Sequence, residues 1–256
     1  MKTKQIDNCI SVKRERYGYI DSVRGLAVVG MIIYHFLFDI LYIYGIYPDF
    51  FMDAQYILLQ RFVGVSFFIV AGISVNLSSR PFSNGILVSI CGLGVSAVTL
   101  AFMPEEPIIF GVLTFLGFSM MLIGALRKAL SKVNAVAGML LSLILFVLTY
   151  GMEYGFIGVF YKPLFYLPDW MYKTSFLAFF SLPGPEFVSS DYYPLFPWLF
   201  LVTFGFFLWR FILKHKFDGY FLCGVPVLDF IGRHSLLIYI LHQPVLYGVC
   251  MLIFGY

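Results

Sequence analysis

The segment IDSVRGLAVVGMIIYHFLFDILYIY, residues 20–44, decides the reading of this chain. A helix that crosses a bilayer needs about 20 predominantly apolar residues. This segment supplies that length, and apart from tyrosines its only ionisable interruptions are Asp21, Arg24, His35 and Asp39. Working outward, six more stretches meet the same criterion: residues 56–77, 84–103, 108–126, 134–150, 194–213 and 235–254. The expected fold is therefore all-α: a polytopic transmembrane helical bundle of about seven spans, in one domain over residues 1–256.

Composition supports this class. The chain is 61% hydrophobic and 20% aromatic but only 12% charged, against roughly 25% charged in a soluble domain. So little charge does not cover a water-soluble globule. The net charge of +3 lies in short interhelical blocks, not in a patch, so no nucleic acid partner is expected, and membrane lipid is. The basic start (Lys2, Lys4, Lys13, Arg14, Arg16) precedes an apolar run longer than a signal h-region and without a small-residue cleavage site, so it reads as a retained first helix.

With the N-terminus inside, the inner connections hold Arg80, then Arg127, Lys128 and Lys132, then Lys214, Lys216 and Arg233, while the outer ones hold only Lys162 and Lys173. Such a bias orients a multi-pass protein. Residues 1–19 are then a cytoplasmic segment, residues 152–193 an extracytoplasmic loop, and the chain a cell-membrane protein. That loop repeats aromatics and prolines (Phe160, Tyr161, Pro163, Phe165, Tyr166, Pro168, Trp170), which suits an ordered interfacial lid. Residues 219–231 are apolar but too short to span, and read as interfacial or re-entrant. Were one of these two segments to cross, the spans would number eight.

Ionisable groups at membrane depth are costly and mark functional sites by default. His35 follows Arg24 by eleven residues, close to three helical turns, so both face the same way about 16 Å apart. Asp39 lies one turn beyond His35. A carboxylate there is placed to orient the imidazole, which then acts as general base toward a hydroxyl or amine. Arg24 is placed to meet a donor's phosphates near the inner surface. The plainer readings are a structural His35–Asp39 pair or a proton path, and an interfacial anchor for Arg24.

Other polar positions carry paired readings. Arg61 is a partner for Asp39 or for an anionic substrate group, or an interfacial anchor. Asp191 caps the sixth helix or orients substrate. Arg233 and His234, in Gly-Arg-His-Ser, hold donor phosphates, or Arg233 anchors and Ser235 caps the last helix. His242 and Gln243 precede Pro244, which deprives an upstream carbonyl of its donor, so they satisfy that carbonyl or face a cavity. Cys9, Cys91, Cys223 and Cys250 show no metal-type spacing and read as structural; no metal is expected. Walker, dinucleotide, zinc-protease and nucleophile-elbow motifs are absent.

Four segments carry a family resemblance: RYGYIDSVRGLA with MIIYHFLFD from Arg16 to Asp39, FFIVAGIS from Phe67, DYYPLFPW from Asp191 to Trp198, and GRHSLLIYILHQP from Gly232. The chain resembles the small bacterial relatives of heparan-α-glucosaminide N-acetyltransferase, within the transmembrane acyltransferases that include acyltransferase-3. The resemblance implies transfer of an acetyl group from cytoplasmic acetyl-CoA to a carbohydrate or other small extracytoplasmic acceptor. It gives His35 the catalytic role and Arg24 the donor side; Asp191, on the same side as His35, and Trp198 are substrate-side candidates. Thr114 stands where the resemblance would place a histidine. A small-solute, lipid or proton-coupled transporter is the competing reading, although the sequence shows no inverted repeat. A scaffold role would leave the charges of the first helix unexplained.

Overall fold

The computed structural model of the chain describes residues 16–47, 49 and 53–255. Cys9 and the basic positions Lys2, Lys4, Lys13 and Arg14 lie outside the described residues. Among the described residues eight α-helices follow in order: α1 Gly18–Phe38, α2 Ala54–Leu77, α3 Pro81–Phe102, α4 Val112–Leu130, α5 Ala135–Thr149, α6 Leu195–Lys214, α7 Pro226–Arg233 and α8 Ser235–Phe254. All but the short α7 are long and apolar enough to cross a membrane, seven candidate spans among the described residues. The multi-pass helical class is thus as expected.

Local chemistry sets the helix ends. Asn134 caps α5, its side chain accepting from the Val136 and Ala137 amides at 2.9 and 3.3 Å. Proline opens α3 and α7 at the first turn, where its missing N–H costs nothing. In α6 Phe196 is extended, so regular helix begins at Pro197. The fourth span starts later than hydropathy suggests, at Val112 and not at residue 108, because residues 103–111 form an irregular turn with Phe110 at φ 54°. After Phe38 the first helix continues as a π-helical turn, Asp39–Ile43. Such turns recur at functional sites.

The chain divides into two compact units, residues 1–70 with 212–256, and residues 71–211. In the first, Val28, Met31 and Val63 form a buried apolar cluster, flanked by Leu59, Phe67, Ile231 and Ile238. In the second, α3 and α4 pack through glycine: a side chain at Gly92 would collide with Thr114, and one at Gly85 with the Gly117 carbonyl. Arg127 crosses to the end of α2 and donates to the Asn76 and Ser78 carbonyls at 2.8 and 3.1 Å, satisfying acceptors that a helix end leaves open.

The long connection after α5 is ordered. It holds a short antiparallel hairpin, β1 Phe156–Val159 and β2 Lys162–Tyr166, followed by two 3₁₀ turns. Tyr172 and Tyr192 donate to the Met152 and Ala178 carbonyls, each at 2.5 Å, and burial pushes both phenols above their ordinary range.

Candidate functional site

The site grows from α1, which presents two groups of polar side chains. Its first turns pack on α7. Side chains added at Gly25 or Gly232 would run into the Leu228 or Asp21 backbone, so the two helices touch main chain to main chain. Ser22 donates to the buried Asp229 and accepts from the Val225 amide at 2.8 Å. Arg24 pairs with Asp21 at 2.7 Å, and the same nitrogen lies 3.5 Å from the Gly232 carbonyl. The segment read as interfacial or re-entrant therefore contains a helix docked on α1. Asp229 was not among the residues singled out from the sequence. Its only signal was a lone acid in an apolar run, which buries here because Ser22 supplies a donor.

Three turns further along α1, the second group forms against α8. The ring of His35 meets the ring of His242 with centroids 4.8 Å apart and planes at 61°. Asp39 is fully buried and accepts from Gln243 Nε2 at 2.7 Å. Among the described residues, the hydrogen bond to Asp39 comes from Gln243 and not from His35 or Arg61, the expected partners. One helical turn puts His35 and Asp39 on one face, but the short carboxylate has a better donor on the facing helix, and the second imidazole takes the place beside His35. His242 Nδ1 lies 2.5 Å from the Tyr239 carbonyl. That carbonyl precedes the Ile240 one that Pro244 deprives of its donor, so neither His242 nor Gln243 fills the gap Pro244 leaves. Both line the polar group instead.

His35 itself is half-buried, while Asp39 and His242 are buried. His35 and Gln243 are thus the two partly accessible members of a polar cluster on spanning helices. α1 is unbroken from Gly18 to Phe38, so the separation of about 16 Å between Arg24 and His35 stands.

The remaining candidates fall elsewhere. Asp191 and Trp198 belong to the unit of residues 71–211. Asp191 Oδ2 accepts from the Val112 amide at 3.1 Å and so caps α4. The first amides of a helix have no internal partner and favour an acid. Trp198 is buried among Phe146, Tyr150 and Tyr193. Arg61 is half-buried on α2. Arg233 and His234 are exposed at the junction of α7 and α8, where His234, not Ser235, takes the N-cap position and its Nδ1 lies 2.8 Å from the Phe230 carbonyl.

Seven apolar helices carrying a buried carboxylate and two touching imidazoles define a multi-pass membrane protein with an intramembrane polar site. The family described as heparan-alpha-glucosaminide N-acetyltransferase, catalytic, matches residues 16–244, and the chain belongs to it. That family is of membrane acetyltransferase type. Comparison with curated proteins and with solved structures finds no match.

Proposed function

We propose that the chain transfers an acetyl group from cytoplasmic acetyl-CoA to a hydroxyl or amine on an extracytoplasmic acceptor, a sugar or another small molecule. The observation that carries this reading is the half-buried His35 held against His242 on spanning helices of a membrane acetyltransferase family. His35 is the general base. As the acceptor's oxygen or nitrogen attacks the thioester carbonyl, its proton passes to His35. The new C–O or C–N bond forms as the C–S bond breaks, and the proton leaves with the CoA thiol.

Arg24 is the donor-side cation. It has a carboxylate partner in Asp21, so donor phosphates would share it with that pair. Arg233 and His234, exposed at the head of α8, are further phosphate contacts. The basic residues of the connections after α2, α4 and α6 support an N-terminus on the cytoplasmic side, which puts Arg24 toward the donor and His35 toward the acceptor.

The test is incubation of the purified chain with acetyl-CoA labelled in the acetyl group. An acetyltransferase binds it and hydrolyses it slowly without acceptor. Neither binding nor release of label would contradict the proposal and return the transporter reading.

A further inference from the structure

The polar group between α1 and α8 has unmet hydrogen-bonding capacity of one sign. Among the described residues, three of its buried atoms have no partner: Asp39 Oδ2, His242 Nε2 and Gln243 Oε1. Asp39 is 0% and His242 9% exposed. A buried polar atom without a partner costs free energy comparable to a lost hydrogen bond, so such atoms in a folded protein ask for an occupant.

The existing bonds set the character of each atom. Gln243 donates from Nε2 to a carboxylate, which leaves Oε1 as its carbonyl end. His242 Nδ1 faces a carbonyl that can only accept, so Nδ1 carries the proton and Nε2 of the neutral ring carries a lone pair. An ionised Asp39 accepts only. All three atoms are therefore acceptors. They occur on residues joined in two pairs, His35 with His242 and Asp39 with Gln243.

We propose that Asp39, His242 and Gln243 form a subsite beside His35 for a hydrogen-bond-donating group, an ammonium or a hydroxyl, and that the subsite excludes anionic groups. As the place where the acyl acceptor presents its nucleophile, the subsite rests on the reading of His35 as base, and an ammonium held there attacks only after it has passed one proton to the Asp39 carboxylate. An ammonium meets a carboxylate in a low-dielectric setting, where attraction is strongest. A hydroxyl supplies one donor to one acceptor. A carboxylate or phosphate would set lone pairs against lone pairs, which specificity commonly exploits.

The experiment uses the full chain in detergent micelles and three ring probes: 2-aminocyclohexanol, cyclohexane-1,2-diol and 2-hydroxycyclohexanecarboxylate. Calorimetry measures affinity. ¹⁵N spectra of histidine-labelled protein follow the unprotonated nitrogen of His242, assigned by its loss in His242→Gln. The amino-alcohol and the diol should bind and move that signal, and the carboxylate should bind at least about tenfold more weakly.

Asp39→Asn turns an acceptor into a donor at Oδ2. It should weaken the amino-alcohol by about tenfold to a hundredfold and the diol less. Equal binding of the carboxylate, a His242 signal that no probe moves, or failure of every probe to bind would overturn the subsite and leave those atoms to water. The wild-type selectivity decides the matter even if Asp39→Asn does not fold. None of these readouts uses acetyl-CoA. Probe selectivity without acetyl transfer keeps the subsite and sinks the enzyme, and transfer without selectivity does the reverse.

Discussion

Gly25→Ala is the substitution whose effect follows most directly from the packing of α1 on α7. A Cβ at Gly25 would fall 2.8 Å from the Leu228 carbonyl carbon and 3.1 Å from its Cα, with the carbonyl oxygen nearer still. Ordinary contact begins at 3.4 Å, so α7 must retreat by more than half an ångström. The obstacle is backbone and cannot rotate away. α7 and the turn before it are also tethered to α1 through Ser22 to Asp229 and Val225, and through the Gly18 amide to the Leu222 carbonyl at 3.0 Å. Overpacking of this kind costs about 1–3 kcal/mol. For a chain of this size that is a fall of about 2–12 °C in Tm. Scanning fluorimetry in micelles reads it. Gly248→Ala in α8 is the control, since nothing lies within 4 Å of that Cβ; a helix-interior alanine in open space is neutral or stabilising by about 0.5–1 kcal/mol. A Gly25→Ala variant as stable as the wild type, or an equal fall in Gly248→Ala, would refute the close packing.

Three other substitutions probe separate contacts. Asp191→Ala leaves the Val112 amide uncapped and should cost about 0.5–2 kcal/mol, read as a lower Tm, whereas Asp191→Asn should recover most of it. Arg127→Met removes both bonds to the end of α2 and should destabilise by about 1–3 kcal/mol in the same assay, with Arg127→Lys, which lacks the fork, restoring only part. Tyr192→Phe deletes the donor to the Ala178 carbonyl and should cost about 0.5–1.5 kcal/mol; an unchanged Tm would mean that bond contributes nothing to the loop.

The spans were legible because a bilayer demands about 20 apolar residues and the sequence meets that demand seven times. The docking of α7 was not. It depends on main-chain contact at Gly25 and Gly232, and glycine carries no hydropathy signal for a close approach. Half of the site was legible too. Helical spacing placed His35 and Asp39 on one face, and ionisable residues in a membrane helix flagged them. Their partners come from another helix: spacing along α1 says nothing of Gln243 and His242 arriving from α8, and the nearest residue in sequence is not the partner in space. Asp191 shows the same limit: proximity in sequence points to the sixth span, while its Oδ2 accepts from the Val112 amide of α4.

The most direct test of the catalytic reading is the acetyl-transfer rate of His35→Ala against wild type, both reconstituted in vesicles with acetyl-CoA on the donor side and amine and hydroxyl acceptors on the other. Loss of a general base predicts a rate lower by about a hundredfold to ten-thousandfold, with the thermal midpoint nearly unchanged. Transfer at the wild-type rate by a folded His35→Ala protein would contradict the assignment of His35 as the base.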